Sequence, residues 1–102
     1  MNNRTKATSI NPKVKKDVHK RDDERCILCH LHVNEFFASA HYIPRSKGGL
    51  GIKENIVTLC IDCHDEYDKT TRRPLIKEKI KKYLDKHYPE FTDEQRIYRK
   101  GQ

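Results

Sequence analysis

Two cysteine pairs, Cys26-Ile27-Leu28-Cys29 and Cys60-Ile61-Asp62-Cys63, bracket the stretch that decides the fold of this chain. They contain all 4 cysteines of the sequence. Two thiolates separated by two residues can bind one metal ion from a tight turn, and two such pairs with no cysteine left over are typical of one tetrahedral zinc site. The alternatives are two disulfides or unligated thiols. We therefore expect a structural zinc whose ligands are Cys26, Cys29, Cys60 and Cys63.

The composition leaves little apolar material for a core. Of the 102 residues, 34% are hydrophobic and 36% are charged, and small domains with so thin a core usually need a staple. Structural zinc contributes about 10–16 kcal/mol of folding free energy, so we expect the metal-free chain to be largely unfolded. No apolar run is long enough to span a membrane and no secretory signal follows Met1, which favours the cytoplasm, where paired cysteines more often bind metal than form disulfides.

The net charge of +7 is unevenly distributed along the chain. Residues 1–25 carry eight Lys and Arg against four acids, residues 26–68 carry three against six, and residues 69–102 carry eleven against five. Basic flanks suggest a polyanion such as nucleic acid as the partner, and an acidic centre fits a place where a divalent cation is held. The simpler alternative is that these charges lie on solvated helix faces.

Residue patterning predicts a small α+β domain stabilised by zinc. Pro44 ends the first strand because it cannot donate to a ladder, and apolar residues at helical spacing from Leu75 to Leu84 predict an amphipathic helix. In chain order we expect a helix over about 12–23, a strand over 39–43, a glycine-rich loop over 45–51, a strand over 56–59, a helix from about 62 and a helix over 74–87. We divide the chain into a disordered basic tail over 1–11, one domain over 12–88 with its core at 26–70, and a C-terminal tail over 89–102 that drapes over the domain or stays loose.

A zinc closed by four cysteines leaves no open position for chemistry, so catalysis needs other groups. Three polar residues stand out: His41 on the first strand, Asn55 just before the second strand, and His64 directly after the last cysteine. Because a hairpin folds back on itself and the next helix can cross its face, this order can bring His41 and His64 together. Taken singly, each residue has a simpler explanation, as a half-buried strand histidine, a turn asparagine or a histidine at a helix start.

The order His41…Asn55…His64, with Pro44 and Gly48-Gly49 between the first two, resembles the HNH endonuclease family with its ββα-metal (His-Me finger) fold. The resemblance implies that His41 is the general base, that Asn55 braces the loop and backbone near that base, and that His64 binds a catalytic divalent metal such as Mg²⁺. It implies a core of two strands and a helix, to which the predicted N- and C-terminal helices are added.

One position departs from the family's pattern. The residue before the general base is commonly Asp or His and helps to bind the catalytic metal, whereas here it is Ala40. Asp68 lies four residues after His64, so on a helix the two residues share a face and could bind one divalent ion together. Water and phosphate oxygens would fill the remaining positions. Weaker candidates for the missing ligand are Asp62, Asp65 and Glu66.

These residues together predict a metal-dependent DNA endonuclease, a class that includes enzymes that nick one strand. His41 would take a proton from water, the metal would stabilise the leaving 3′ oxygen, and Arg45 and Lys47 would clamp backbone phosphates. We expect double-stranded DNA as the substrate and weak sequence preference, and the family resemblance implies 5′-phosphate products. The alternative, for which Ala40 is the best argument, is a non-catalytic zinc-finger module that binds DNA or a protein.

The basic flanks are also like those of small HNH proteins from phages and their bacterial hosts. The resemblance therefore implies a phage-encoded or bacterial protein, acting in the cytoplasm of the host cell. It leaves room for a larger complex, such as a phage packaging machine, as a further partner that supplies targeting.

Overall fold

The structure, a computed structural model, describes residues 3–37 and 39–99, apart from the side chain of Phe37. These residues form a small α+β domain with one two-stranded sheet. The helices and strands are α1 (Asn3–Thr8), α2 (Pro12–Arg21), β1 (Ser39–His41), β2 (Ile56–Thr58), α3 (Ile61–Lys69) and α4 (Arg73–His87), with 3-10 turns at Glu35–Phe37, Arg45–Lys47 and Glu94–Arg96. Within the described ranges, no helix is long and apolar enough to cross a membrane.

β1 and β2 form an antiparallel hairpin. The register places Ser39 opposite Thr58, Ala40 opposite Val57 and His41 opposite Ile56. β1 ends at His41, two residues earlier than predicted. Asn55, which directly precedes β2, accepts the hydrogen bonds of the next two backbone N–H groups. The backbone N–H of Tyr42 donates to the carbonyl of Asn55 (2.8 Å), and the N–H of Ile43 donates to its side-chain Oδ1 (2.9 Å).

Local sequence chemistry determines where the helices begin. α2 follows Asn11, whose Oδ1 accepts a hydrogen bond from the N–H of Val14 (2.9 Å). α3 follows Cys60, whose Sγ accepts from the N–H of Cys63 (3.4 Å). α4 has Pro74 in its first turn, where the missing N–H costs nothing. Each of these helices starts within one residue of the predicted position, because capping depends on neighbours in the chain.

α4 closes the core along one stripe. Its buried residues are Ile76, Ile80 and Leu84, and the last two are fully inaccessible. They join a cluster that includes Tyr42 of the hairpin and Cys26 of the first cysteine pair. Burial of one such aliphatic side chain contributes about 1.5–3 kcal/mol, so the helix and the cysteine cluster support the same small core.

The expectation of a disordered tail over 1–11 is corrected by α1. Its sequence has no apolar periodicity, and the helix is stabilised by non-local contacts and by its own side chains. The carbonyl of Ala7 accepts from the N–H of Gly51 (3.0 Å), and the hydroxyl of Thr8 donates to the carbonyl of Arg4 (2.9 Å). Met1 and Asn2 lie outside the described residues.

Residues 96–98 pack against the loop between the strands. The N–H of Leu50 donates to the carbonyl of Arg96 (2.8 Å), and the N–H of Tyr98 donates to the carbonyl of Gly48 (2.7 Å). Gly48 has a φ of 83°, in the left-handed region that favours glycine. The loop is thus hydrogen-bonded both to α1 and to this C-terminal segment.

A buried charged network ties α2 to the hairpin and to α4. The carboxylate of Asp22, with a side chain that is 0% exposed, receives two hydrogen bonds from the Arg21 guanidinium, at 2.7 and 3.0 Å. Its two oxygens also accept from the N–H of Thr58 (2.9 Å) and the hydroxyl of Tyr83 (2.6 Å). Both lone-pair sets of the carboxylate are therefore occupied, which a buried charge requires.

Candidate functional site

The four cysteines come together in one cluster, as predicted. Their sulfur atoms all lie within 4.8 Å of one another, and the Sγ atoms of Cys29 and Cys60 are 3.6 Å apart. A tetrahedral zinc with Zn–S bonds of about 2.3 Å places its sulfurs about 3.8 Å apart. All four thiols are free of disulfides. The cluster has the donor type and the spacing to hold one metal ion.

The thiols in this cluster influence one another and the backbone around them. Burial raises the pKa of Cys63, and the neighbouring sulfur atoms raise it further. Burial alone would raise the pKa of Cys26 as well, but nearby backbone N–H groups outweigh it and lower that pKa. N–H groups aimed at sulfur stabilise a thiolate, which is the form that binds metal. The backbone around Cys26 therefore favours the charged thiolate of that residue.

His41, at the end of β1, is half-buried beside the end of α1. Its Nε2 lies 2.8 Å from the carbonyl oxygen of Thr8. Since a carbonyl only accepts, Nε2 must carry the hydrogen, and in the neutral ring Nδ1 then keeps a lone pair. Burial lowers the pKa of His41 below 6.5; the Thr8 bond opposes this, and the charges of Arg45 and His64 add to it. The ring is therefore neutral near pH 7.

Asn55 is fully buried and does not face solvent. Its Oδ1 accepts from the N–H of Ile43 (2.9 Å), while its Nδ2 donates to the carbonyls of Ile43 (3.1 Å) and Leu50 (2.9 Å). The side chain thus spans the loop between the strands and fixes the backbone two residues beyond His41. It is placed to position the loop, and it cannot touch a substrate.

His64 and Asp68 lie on one face of α3. The Nδ1 of His64 and the Oδ2 of Asp68 are 3.0 Å apart. The other oxygen of Asp68 lies 3.6 Å from the Arg73 guanidinium. Two neighbouring ligands of an octahedral ion with bonds of about 2.1 Å are also about 3 Å apart. This separation suits a shared divalent ion and suits a direct hydrogen bond equally well.

Tyr67 holds α3 against the hairpin and so fixes the position of this face. Its buried hydroxyl donates to the carbonyl of Tyr42 (2.6 Å), one residue after His41. The Arg73 guanidinium lies 4.1 Å from the centre of the Tyr67 ring and donates to the Tyr67 carbonyl (2.9 Å). The buried, hydrogen-bonded side chain of Tyr67 therefore fixes the position of α3 relative to β1.

One cleft of about 200 Å³ collects these groups. Its lining residues are His41, Pro44, Arg45, His64 and Asp68. The structure therefore brings the predicted base and the predicted metal ligands to the same opening, together with one of the two predicted phosphate contacts. Lys47, the other, is exposed on the same 3-10 turn as Arg45 but does not line this cleft.

The remaining acidic candidates point elsewhere. Asp65 pairs with Lys69 (3.4 Å), and Glu66 pairs with Arg72 (2.8 Å). Asp62 lines a different cleft, next to Cys60. Ala40 is 2% exposed, and its side chain carries no ligand atom. Among the acids considered from sequence, Asp68 alone lies at the cleft with His64.

Sequence reasoning missed two contributors to this site. Thr8 acts through its backbone carbonyl, which every residue possesses, so no residue type could have signalled it. Arg73 lies just before the predicted helix over 74–87 and was given no role, although an Arg five residues after Asp68 near a helix junction is a usable hint. Both contributions depend on how the chain folds back.

Comparison with known proteins gives two findings. The sequence profile of a family described as HNH endonuclease matches residues 26–80, which is more than half of the chain. Anaredoxin from Nostoc sp. (strain PCC 7120 / SAG 25.82 / UTEX 2576) is 37% identical over 57 residues, which make up 56% of this chain and 74% of anaredoxin. The family match includes both cysteine pairs, the hairpin and α3.

Proposed function

Because the chain belongs to the HNH endonuclease family, which implies a nucleic-acid substrate, we propose that it is a metal-dependent DNA endonuclease. The observation that carries this proposal is the shared cleft, where a neutral imidazole with a lone pair on Nδ1 lies beside the His64–Asp68 pair. A base and a cation-binding pair on one opening are the two components that phosphodiester hydrolysis needs. We also propose nicking as a reaction that such a single site supports.

We assign the core to the ββα-metal type. The order of β1, β2 and α3, with His41 on the first strand and His64 on the helix, supports this assignment. The hairpin supplies the base and the helix supplies the metal ligands. Asn55 holds the intervening loop, in the role that the family resemblance implies for it.

In the proposed reaction, His41 accepts a proton from water, and the hydroxide attacks phosphorus. The Thr8 carbonyl keeps the Nε2 hydrogen on the far side of the ring. Arg45 at the cleft and Lys47 beside it attract backbone phosphates of double-stranded DNA. These contacts carry no base readout, so weak sequence preference follows, and a larger complex such as a phage packaging machine would have to supply targeting.

The cleft residues fit a hard divalent ion such as Mg²⁺. When bound, the ion would polarise the phosphate and stabilise the leaving 3′ oxygen. His64 and Asp68 would hold it, with Arg73 steadying the second oxygen of Asp68. Two protein ligands suffice for Mg²⁺, which usually keeps several waters and takes substrate phosphate oxygens as ligands. Asp68 thus offers a physical replacement for the ligand that Ala40 lacks.

We assign zinc to the four-cysteine cluster, as a structural ion. Four thiolates at tetrahedral spacing suit zinc and leave no open position. Cys63 and His64 are adjacent on α3 but serve different ions in this assignment, because successive side chains on a helix point about 100° apart. The zinc would stabilise the fold and the cleft would perform the chemistry.

The test is plasmid cleavage by the purified protein with Mg²⁺ or Mn²⁺. We expect conversion of supercoiled plasmid to the open-circular form, and loss of that activity in His41→Ala. The matched control is His32→Ala, which removes an exposed imidazole that lies outside the cleft. Equal cleavage by both variants would overturn the assignment of His41.

A second candidate is a non-catalytic zinc-finger module that binds DNA or a protein, and the lack of a metal ligand at Ala40 favours it. Here the cysteine cluster and basic flanks would serve binding alone. Tight DNA binding without cleavage under any divalent metal would establish this alternative, and cleavage that depends on His41 would exclude it.

A further inference from the structure

Residues 3–10, which we call the N-terminal strap, cross the loop that follows β1. The guanidinium of Arg4 donates to the carbonyls of Arg45 (3.2 Å) and Ser46 (3.1 Å). In return, the guanidinium of Arg45 donates to the hydroxyl of Ser9 (3.2 Å). The strap is thereby tied at both of its ends to the turn that borders the cleft.

The strap also reaches the general base itself. Between these two ties, the Thr8 carbonyl accepts the hydrogen of His41 Nε2 (2.8 Å). The adjacent Ala7 carbonyl is held by the N–H of Gly51 (3.0 Å). The Thr8 carbonyl therefore has a fixed position relative to β1, set by contacts on either side of it.

From these contacts we propose that the N-terminal strap is the positioning element of the general base. Its Thr8 carbonyl selects the Nε2–H tautomer of His41 and so leaves the lone pair on Nδ1. The proposal rests on the function proposed above, and it deepens the description of the same site. The strap contributes no side chain to the reaction, and the proposed effect is the one that it exerts on His41.

The physical reason is that a neutral imidazole has two tautomers and a rotatable ring. Without an acceptor at Nε2, the hydrogen can move to Nδ1, and a ring with hydrogen on the wrong nitrogen cannot accept a proton there. A carbonyl fixed at one nitrogen removes this freedom. It also holds the ring plane, which matters because a misplacement of about 1 Å can cost on the order of 100-fold in rate.

Gly51 offers a way to displace the strap without touching the cleft. A Cβ at Gly51 would lie 2.0 Å from the carbonyl oxygen of Ser9, which is backbone and cannot swing aside. Gly51→Ala must therefore push residues 9 and 10 away from the loop. The Thr8 carbonyl precedes them directly and moves with them.

Arg4→Ala is the gentler variant, because it removes only the two hydrogen bonds to the turn. Its matched control is Lys6→Ala. Lys6 is exposed on the same helix, so that variant removes an equal charge. Any loss of non-specific DNA attraction is then common to both variants.

The first measurement is the tautomer of His41, read from the ¹⁵N chemical shifts of its ring in the zinc-loaded full chain. We expect the Nε2–H form in the parent protein and in Lys6→Ala, and a mixture of both tautomers in Arg4→Ala and Gly51→Ala. An Nδ1–H ring in the parent protein overturns the proposal, and so does an unchanged tautomer in both strap variants. This readout does not require activity.

The second measurement is the kinetics of plasmid nicking. We expect kcat to fall on the order of 100-fold in Gly51→Ala and less in Arg4→Ala, with KM for DNA close to that of Lys6→Ala. If Gly51→Ala does not fold, as judged by circular dichroism, the kcat of Arg4→Ala relative to Lys6→Ala tests the proposal. A kcat in the strap variants equal to that of Lys6→Ala overturns the proposal. A parent protein with the Nε2–H tautomer but no cleavage overturns the proposed function and leaves the strap's hold on His41 intact.

Discussion

His41 shows how one backbone contact can set the chemistry of a side chain. Its hydrogen bond to the Thr8 carbonyl defines which nitrogen keeps a lone pair. Burial and the nearby charges keep the ring uncharged at neutral pH. The imidazole is therefore available as a base where free histidine would already be partly protonated.

The pH dependence of cleavage follows from this environment. Burial lowers the pKa of His41 below 6.5, with Arg45 and His64 adding to the effect, and only the neutral ring accepts a proton. We predict that kcat/KM falls as the pH drops through this lowered value, so that the acid limb lies below pH 6.5. The folded state loses stability over the same range, because the unfolded chain binds the proton more readily.

Substitution of Arg45 tests whether its charge contributes to the lowered pKa of His41. Arg45→Ala removes one charge that lowers the pKa of His41, so the acid limb should move to higher pH. Lys47→Ala removes an equal charge from the same turn and should leave the limb in place. A limb that does not respond to Arg45→Ala, measured from initial rates across pH, would contradict this explanation.

Asn55 acts at the same scale through three hydrogen bonds. Asn55→Ala leaves two backbone groups of Ile43 and the carbonyl of Leu50 without their partner. Each buried group without a partner costs about 1–3 kcal/mol, and we expect a loss of roughly 3 kcal/mol in the free energy of unfolding. Denaturant titration measures it. Asn34→Ala removes one exposed side-chain acceptor and should cost far less; equal losses would refute the bracing role.

At the scale of elements, the cysteine pairs join the two ends of the hairpin. The first pair precedes β1 and the second pair leads into α3. The sheet that they enclose has strands of only three residues each, and a two-stranded hairpin is marginal by itself. A metal ion bound by the cluster would therefore help to hold this sheet closed, together with the hydrogen bonds from Thr58 to Asp22 and from Tyr67 to Tyr42.

Metal removal is expected to unfold the chain. Structural zinc contributes about 10–16 kcal/mol, as much as the whole stability of a typical domain, about 5–15 kcal/mol. We predict one zinc per chain by elemental analysis. Strong chelation should abolish the far-ultraviolet circular dichroism signal, and excess zinc should restore it. A sharp, cooperative thermal transition that survives chelation would contradict this.

For the whole molecule, the network around Asp22 connects α2, β2 and α4. Asp22→Ala leaves the Arg21 guanidinium, 13% exposed, without its main partner, and breaking a buried pair from one side costs about 3–5 kcal/mol. We expect a loss of this size in denaturant titration. The control is Asp17→Ala, which breaks an exposed pair with Lys13 at 2.9 Å and should cost at most about 1 kcal/mol. Equal losses in the two variants would show that the network adds no more stability than an exposed ion pair.

The sequence by itself determined the cysteine cluster, the starts of α2, α3 and α4, and the order of His41, Asn55 and His64. These features depend on residue type, on spacing and on neighbours in the chain, so they can be predicted from the sequence. The family match over residues 26–80 agrees with the resemblance drawn from those residues.

Only the tertiary structure decided the rest. It placed α1 over the loop where a disordered tail was predicted, and it assigned Asp68, among the candidate acids, to the cleft with His64. It also buried Arg96 completely in the C-terminal segment, where the sequence pattern shows only a charged residue. α1 and Arg96 are held by groups remote in the chain, such as Gly51 and Glu54. The approach of Asp68 to His41 depends on how α3 packs against the hairpin through Tyr67. Residue type does not specify such remote contacts.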